Sequence, residues 1–200
     1  MKTLLQLNTS LFSGQGQSTQ LADQFVALWR DKNPDSRVVK RDLAADPVPH
    51  LDGARFQSFL AAPESRSEEQ HIVVAYSDAL IEELRAADIV VLGLPMYNFG
   101  IPSTLKAYFD HIARAGTTFK YTEKGPVGLL SDKIVVVYAA RGGRYAGTPL
   151  DTQTDYVRNF LHFIGIDDVR FIYAEGLALG EDSKSTSLAQ ARSDTETLVA

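Results

Sequence analysis

The sequence predicts an α/β fold: a five-stranded, doubly wound parallel sheet with helices on both faces. Apolar, β-branched runs alternate with stretches of helical periodicity, and this alternation is typical of parallel sheets. The third and fourth runs are almost continuously apolar, as expected of strands covered on both faces. The five predicted strands are Leu4–Leu7, Arg37–Lys40, Ile89–Leu94, Ile134–Tyr138 and Val169–Tyr173.

Apolar residues at helical spacing predict four amphipathic helices between these strands. Asn33-Pro34 ends the first of them, and Ser67 with Gln70 forms a capping box for the second. A more polar helix is predicted over Ser183–Leu198. The apolar stripes of the four amphipathic helices span Leu21–Trp29, Tyr76–Ala87, Leu105–Ile112 and Tyr156–Ile164.

Residues 1–200 are predicted to form a single domain, because this length suits one core and no segment has the composition of a linker. Five strands at this length favour a flavodoxin-like strand order over a full dinucleotide-binding domain. Two segments interrupt the alternation. Asp46–Arg66, rich in proline and small residues, crosses from the second strand to the second helix. Thr117–Leu130 holds two short alternating runs around Lys124-Gly125-Pro126, which predicts a hairpin-like excursion.

Composition and charge exclude several classes of protein. The net charge of −5 argues against a nucleic-acid-binding protein, whose usual footprint is a basic patch. The absence of cysteine excludes disulfides, thiolate metal ligands and a cysteine nucleophile, and the four histidines show no metal-ligand spacing. No apolar run approaches the roughly 20 residues of a membrane helix, and the one at the N-terminus is too short for a signal peptide. We therefore expect a cytoplasmic protein with no metal and no membrane partner.

A hydroxyl-rich loop follows the first predicted strand and leads into the first helix. A helix N-terminus at the carboxyl end of a strand presents free N–H groups and can hold an anion. Ser10, Ser18 and Thr19 add hydroxyl donors, Gly14 and Gly16 let the chain turn, and the loop has no lysine or arginine. This pattern predicts a phosphate held by neutral donors. The alternative is that Ser18 only caps the helix and the glycines only turn the chain.

A second alternative takes Gly14 and Gly16 as part of a dinucleotide-binding fingerprint, with Asp42 as the acid that binds the ribose. Thr19 occupies the third glycine position of that fingerprint, and the loop is several residues too long. The match is therefore weak. Asp42 is better interpreted as a turn residue or a surface charge.

The segment Ile89–Pro102 is the most informative part of the chain for function. An apolar strand runs into Met96-Tyr97-Asn98-Phe99, which lies between prolines. In an open parallel sheet, ligands bind at the carboxyl ends of the strands. Two aromatic rings, a thioether and one amide make a flat, mostly apolar wall with one polar group. Such a wall suits a planar ring better than a sugar or a peptide.

Adjacent glycines follow the fourth predicted strand, in the stretch Ala140-Arg141-Gly142-Gly143. Glycine lets backbone N–H groups approach a ligand closely. Such donors suit the polar edge of an isoalloxazine ring, where negative charge develops on reduction. An ordinary strand-to-helix turn is the alternative, and the aromatic wall on the neighbouring strand favours the ligand contact.

The chain resembles the flavin-dependent NADH azoreductases, also described as FMN-dependent NADH:quinone oxidoreductases, of the bacterial azoreductase type 1 group. The resemblance covers nearly the whole chain, and its PMYNF and RAG-x-TF-x-YT strings are specific. The segments that carry it are Ser10, Gln17-Ser18, Arg41–Ala44, Pro95–Phe99, Ala113–Gly116, Phe119–Thr122, Arg141–Gly143 and Phe163–Ile166.

This resemblance implies a flavodoxin-like homodimer with one FMN per subunit, bound at the subunit interface. The first loop would hold the phosphate, the aromatic wall would run along the ribityl chain and ring, and the glycine pair would meet the pyrimidine edge. The implied cofactor-binding residues are Ser10, Gly16, Gln17, Ser18, Met96, Tyr97, Asn98, Phe99, Ala140, Arg141, Gly142 and Gly143.

The substrate pocket implied by the resemblance comprises Phe99, Tyr121, Tyr145 and Phe163, of which Tyr121 and Phe163 approach the flavin from the partner subunit. Two positions depart from the family pattern. Gly16 replaces a common serine and removes one hydroxyl from the phosphate loop. Arg144 replaces a common aliphatic residue, which is expected to affect the charge preference for substrates.

The implied chemistry takes place on the flavin, so no side chain is expected to be catalytic. NADH gives a hydride to FMN and leaves, and a quinone or azo compound then takes the hydride in the same slot, which predicts ping-pong kinetics. The sequence leaves open NADPH as a second donor and does not identify the physiological acceptor among quinones, azo compounds and nitroaromatics.

Two other classes of function remain open from the residues alone. One is a flavin-binding electron carrier or regulator without turnover of its own, although carriers are usually more acidic than this chain. The other is a dehydrogenase that uses only a nicotinamide cofactor, which conflicts with the missing third glycine of the fingerprint.

Overall fold

The five predicted strands form one parallel sheet in a computed structural model that describes residues 1–200. The strands are β1 (Thr3–Asn8), β2 (Arg37–Asp42), β3 (Ile89–Pro95), β6 (Ile134–Ala140) and β7 (Asp168–Ala174). Each strand is one or two residues longer than the apolar run that predicts it. Their order in the sheet is β2–β1–β3–β6–β7, the flavodoxin order of doubly wound sheets.

Four of the six α-helices lie where the apolar patterns predict them, and a fifth is the predicted polar helix. The capping box is confirmed, since the Ser67 hydroxyl accepts from Gln70 N and the Gln70 side chain accepts from Ser67 N. The polar helix begins two residues earlier than predicted. The helices are α1 (Gln17–Lys32), α2 (Gly53–Leu60), α3 (Glu68–Ala86), α4 (Ser103–Ile112), α5 (Thr152–Phe163) and α6 (Glu181–Val199).

Helix α2 lies inside the segment that the sequence left without helical pattern. It has eight residues, and its N-cap is Asp52, whose carboxylate accepts a hydrogen bond from Arg55 N at 2.8 Å. Phe56, Phe59 and Leu60 have helical spacing, but they cover a single turn, which is too short for a clear periodic signal. The other local sign of this helix in the sequence is its aspartate N-cap.

The predicted excursion is an antiparallel hairpin of β4 (Phe119–Thr122) and β5 (Gly125–Gly128). Its turn lies at Glu123-Lys124, because Thr122 pairs with Gly125. The turn thus begins one residue earlier than the predicted Lys124-Gly125-Pro126 turn. The hairpin is docked on the end of α5, where Ile164 O accepts hydrogen bonds from the N–H groups of both Leu129 and Leu130.

Two apolar clusters cover the faces of the sheet. Leu5, Leu7 and Val90 belong to a cluster of 24 buried residues that packs against α3, α4 and α5. Leu4 and Val91 belong to a cluster of 12 that packs against α1 and α6. Neighbouring strand residues thus face opposite sides, which produces the near-continuous apolar runs of the sequence. No helix combines the length with the apolar content needed to cross a bilayer.

One imidazole is enclosed in the larger cluster. His111 on α4 is completely buried, donates from Nδ1 to Ala107 O at 2.9 Å, and meets the ring edges of Phe59 and Tyr76 at 6.0 Å. Its Nε2 has no hydrogen-bond partner. Burial lowers the pKa of His111 below its ordinary value, since the charged form would lose its hydration.

Because the folded state holds His111 neutral, we expect the free energy of unfolding to fall as the pH drops below about 6.5, where the unfolded chain takes up the proton. His111→Phe, which keeps the aromatic contacts, is expected to flatten this dependence. Urea unfolding between about pH 7.5 and pH 5.5 measures it. The same change at the exposed His71 is the control, and an equally pH-dependent stability in His111→Phe would contradict the assignment.

Candidate functional site

A cavity of about 220 Å³ lies at the carboxyl ends of β1, β3 and β6, the three central strands. Nine of the twelve predicted cofactor-binding residues line it, and Asn98, Phe99 and Gly143 are the three that do not. The lining residues are Ser10, Phe12, Gly16, Gln17, Ser18, Pro95, Met96, Tyr97, Ala140, Arg141, Gly142 and Leu177.

Hydrogen bonds between the loops give this cavity its shape. Leu11 N donates to the Tyr97 hydroxyl at 3.2 Å, which joins the first loop to the aromatic loop. Met96 N donates to Ala140 O at 3.0 Å, which joins the aromatic loop to the glycine loop. The three predicted segments are therefore in direct contact with one another, although they are far apart in the sequence.

The amino end of α1 leaves its donors free. The first hydrogen bond of the helix runs from Gln20 N to Gly16 O, so the N–H groups of Gln17, Ser18 and Thr19 have no acceptor in the protein. The hydroxyls of Ser18 and Thr19 are buried and also without partners. The N-cap is Gly16, so the alternative in which Ser18 only caps the helix is wrong. Buried unpaired donors at a helix N-terminus are suited to hold an anion.

Two glycines bring this helix end onto the sheet. A Cβ on Gly93 of β3 would lie 3.1 Å from Ser18 O and 3.4 Å from Thr19 N, so any side chain there would push α1 away. A Cβ on Gly16 would overlap the Ser10 hydroxyl. The Gly16 departure therefore does more than remove a hydroxyl, because it makes room for the Ser10 side chain.

The aromatic loop contains a strained two-residue turn. Tyr97 and Gly100 exchange two backbone hydrogen bonds at 3.1 and 3.0 Å, and the residues between them, Asn98 and Phe99, have φ angles of 51° and 64°. Both central residues are thus left-handed, which is uncommon for a bulky residue such as phenylalanine. Asn98 and Phe99 are exposed at the mouth of the cavity.

The first turn of α5 holds this loop from below. Gln153 is fully buried, and its Nε2 donates to Pro95 O at 2.9 Å and to Gly100 O at 3.2 Å. The Thr152 hydroxyl donates to Phe99 O. Sequence reasoning missed both residues, since neither lies in a recognisable motif or near the loop in sequence.

The glycine loop also presents free donors. The N–H groups of Gly142 and Gly143 have no acceptor in the protein, whereas Arg141 N donates to Ala174 O at 2.9 Å. A Cβ on Gly143 would lie 2.5 Å from the Tyr145 hydroxyl, so the tyrosine ring folds back over this glycine.

Both terminal nitrogens of the Arg141 guanidinium bind groups of the protein, and its buried Nε has no partner. The side chain is 0% exposed and pairs with Asp151 at 2.9 Å and with Glu175 at 3.0 Å. Arg141 therefore lies in the wall of the cavity with its charge paired inside the protein. Glu175 Oε1 also accepts from Tyr145 N and Ala146 N, both at 2.9 Å, so the ion pair shapes the whole loop.

Asp151 keeps its charge in this network. Its partial burial acts to raise the pKa of the carboxyl, but hydrogen bonds from Arg141 and Thr154 outweigh that effect and hold the pKa below the ordinary value. The ion pair is therefore intact at neutral pH. Neither Asp151 nor Glu175 was predicted, because the pairing depends on how α5 and β7 are placed against β6.

The four predicted substrate-pocket residues separate into two groups. Phe99 and Tyr145 meet edge to face at the cavity mouth, with ring centroids 5.5 Å apart. Tyr121 and Phe163 instead pack around Phe119 on the hairpin, and Tyr121 is 73% exposed. Phe163 ends α5, whose first residue contacts the aromatic loop, so the two groups are about 16 Å apart along the helix.

Arg144 and Asp42 lie outside the cavity. Arg144 packs against Gly176 and donates to the Ser183 hydroxyl at 3.1 Å, so its guanidinium points to α6. Asp42 accepts hydrogen bonds from Ala44 N at 2.9 Å and Ala45 N at 3.3 Å, which confirms that it is a turn residue.

Comparison with known proteins places this geometry in a family. The family model for the flavodoxin-like fold matches residues 2–199. The FMN-dependent NADH:quinone oxidoreductase of Cellvibrio japonicus is 56% identical over 200 residues, with 100% of each chain covered.

Solved structures agree in fold. An azoreductase from Bacillus anthracis strain Sterne superposes with a TM-score of 0.91 at 29% identity, covering 100% of this chain and 99% of its own. An FMN-dependent NADH-azoreductase from the Ames Ancestor strain, solved in complex with FMN, superposes with a TM-score of 0.88 at 24% identity, with 100% of both chains covered. The chain therefore belongs to the flavodoxin-like family, among the FMN-dependent NADH:quinone oxidoreductases.

Proposed function

We propose that this protein uses NADH to reduce quinones by two electrons, and also reduces aromatic azo compounds, through a bound FMN in a ping-pong reaction. The observation that carries the proposal is the meeting of free donors and an apolar wall in one cavity, which is lined by the amino end of α1, by Met96 and Tyr97, and by Gly142. The 56% identity to an FMN-dependent NADH:quinone oxidoreductase supports it.

The residues present fit FMN at each part of the molecule. The unpaired N–H groups of Gln17–Thr19 and the orphaned hydroxyls of Ser18 and Thr19 suit the phosphate, which needs several donors and no ion pair. Met96 and Tyr97 offer a flat apolar surface for the ring. The free N–H groups of Gly142 and Gly143 suit the polar edge.

FMN, when bound, supplies the hydride chemistry, and the protein supplies orientation and electrostatics. The neutral donors of α1 would anchor the phosphate, while Phe99 and Tyr145 border the slot in which donor and acceptor bind in turn. The backbone donors of Gly142 and Gly143 would lie where negative charge develops and would stabilise it. Asp42 is engaged in its turn, which argues against a dehydrogenase that binds only a nicotinamide cofactor.

The absorption spectrum of the purified protein tests the proposal directly. We expect flavin bands that bleach on addition of NADH and return on addition of a benzoquinone. Initial rates at several fixed quinone concentrations are expected to give parallel double-reciprocal lines, because both substrates use one slot. The same assay with NADPH measures the donor preference.

Three outcomes would contradict this proposal in different ways. A colourless protein that gains no activity with added FMN would remove the cofactor assignment. Flavin bands that NADH does not bleach would point to an electron carrier or regulator. Intersecting initial-rate lines would exclude a single shared slot.

Gly93→Ala is expected to weaken FMN binding by about tenfold, because its methyl group displaces the donors of α1 from the phosphate. Gly53→Ala is the matched control, since Gly53 lies on α2 with open space around its Cβ position. Titration of the apoprotein with FMN, followed by flavin fluorescence, measures both. An unchanged dissociation constant in a folded Gly93→Ala protein would separate α1 from the phosphate site.

We also propose a homodimer in which Tyr121 and Phe163 of one subunit complete the site of the other. Support comes from their distance of about 16 Å along α5 from the aromatic loop of their own chain, and from the exposure of Tyr121. In the proposed dimer, Tyr121 and Phe163 of each subunit would face the cavity of the other.

Sedimentation equilibrium of the FMN-loaded protein is expected to give a dimer. Tyr121→Ala is expected to raise the KM for quinone several-fold, while the FMN dissociation constant stays near that of the wild type. Lys120→Ala, on the neighbouring exposed position of the hairpin, is the control. A fully active monomer would contradict the shared site.

A further inference from the structure

Four consecutive residues at the start of α5 contact both loops of the cavity. We call Asp151, Thr152, Gln153 and Thr154 the clasp. Its middle pair binds the aromatic loop, since Gln153 Nε2 donates to Pro95 O and Gly100 O and the Thr152 hydroxyl donates to Phe99 O.

The outer pair of the clasp binds the glycine loop through Arg141. Arg141 Nη2 donates to Asp151 Oδ1 at 2.9 Å and to the Thr154 hydroxyl at 3.0 Å. Nη1 of the same guanidinium donates at 3.0 Å to Glu175, which accepts from the N–H groups further along the loop. One helical turn thus sets the distance between the apolar wall and the free donors of Gly142 and Gly143.

Glutamine is an unfavourable residue at the buried position 153, and the stability of the fold alone does not explain its presence. Its side chain is 0% exposed, and Oε1 has no hydrogen-bond partner. A buried polar atom without a partner is unfavourable, and an apolar side chain of similar size would avoid it. The amide instead bonds to the chain on both sides of the left-handed Asn98-Phe99 turn, at Pro95 O and Gly100 O. Such a turn persists only where its surroundings impose it.

We propose that the clasp is a positioning element, with Gln153 as its principal residue, which holds the two loops at the spacing that favours reduced over oxidised FMN. This inference rests on the proposed FMN site. Reduction adds negative charge at the polar edge of the ring, so the reduced form depends more strongly on the Gly142 and Gly143 donors. Loosening the clasp therefore weakens the binding of both oxidation states, and that of the reduced state more.

Gln153→Met tests the inference in the full-length, FMN-loaded protein, because methionine keeps the side-chain length and removes both donated bonds. We expect the dissociation constant of oxidised FMN to rise about tenfold and that of reduced FMN about a hundredfold. The tenfold difference between them lowers the two-electron midpoint potential by about 30 mV. Gln57→Met on the exposed face of α2 is the matched control, with wild-type values expected for both quantities.

Thr152→Val is the second variant, since this exposed position tolerates an isosteric change and loses only the bond to Phe99 O. We expect Thr152→Val to weaken FMN binding and to lower the midpoint potential, each by less than Gln153→Met does. This second variant provides the test if Gln153→Met does not fold. Folded variants whose affinity and midpoint potential equal those of the wild type would overturn the inference. Weaker FMN binding with an unchanged potential would also overturn it, because a merely structural role affects both oxidation states equally.

The behaviour of the wild type separates this inference from the proposed function. A wild-type protein that does not bind FMN would refute the proposed function, and the inference with it. A wild type that binds and reduces FMN, beside variants with an unchanged potential, would refute the clasp alone.

Discussion

The first turn of α1 lies directly on β3, where Gly93 leaves no side chain between helix and sheet. This close approach brings three backbone N–H groups and two buried hydroxyls to the edge of the central strands. It also fixes where Tyr97 can accept from Leu11 N, and through that bond the position of the aromatic loop. The cavity exists because helix and sheet are separated by no more than backbone atoms.

Unsatisfied donors are concentrated around this cavity. Buried polar groups in folded proteins nearly always have partners, so clusters of orphaned ones indicate a site where something else is bound. The orphaned hydroxyls and backbone N–H groups are neutral, and the Arg141 guanidinium, whose Nε is also unpaired, is neutralised by Asp151 and Glu175. The donors of α1 that face the cavity therefore act through dipoles, while the fixed charges shape the glycine loop.

Helix α5 connects the two halves of the proposed active site. Its amino end holds the aromatic and glycine loops, and its carboxyl end carries the hairpin with Phe119 and Tyr121. The helix is rigid, so the distance between these groups within one chain is fixed. The hairpin end of α5 therefore cannot reach the cavity of its own chain, and in the proposed homodimer it would face the cavity of the partner subunit.

Local patterns in the sequence determined the five strands, five of the helices, the hairpin and the three loops that meet at the cavity. These features depend on hydrophobic periodicity and on the positions of glycine and hydroxyl residues, which are local properties of short stretches of sequence. The same holds for Asp42, whose turn needs only the two residues that follow it. Helix α2 was not predicted, because its apolar residues Phe56, Phe59 and Leu60 cover a single turn only.

The tertiary structure alone decided how those loops are held. Gln153 bonds to Pro95 across 58 positions, and Arg141 pairs with Glu175 across 34. The sequence presented Arg141 as a residue of the cofactor site and Arg144 as an influence on substrate charge. The structure buries the Arg141 guanidinium against Asp151 and Glu175, and the exposed Arg144 donates to Ser183 of α6. Such pairings depend on which elements the crossover connections bring together, and a side chain's neighbours along the chain carry no record of that placement.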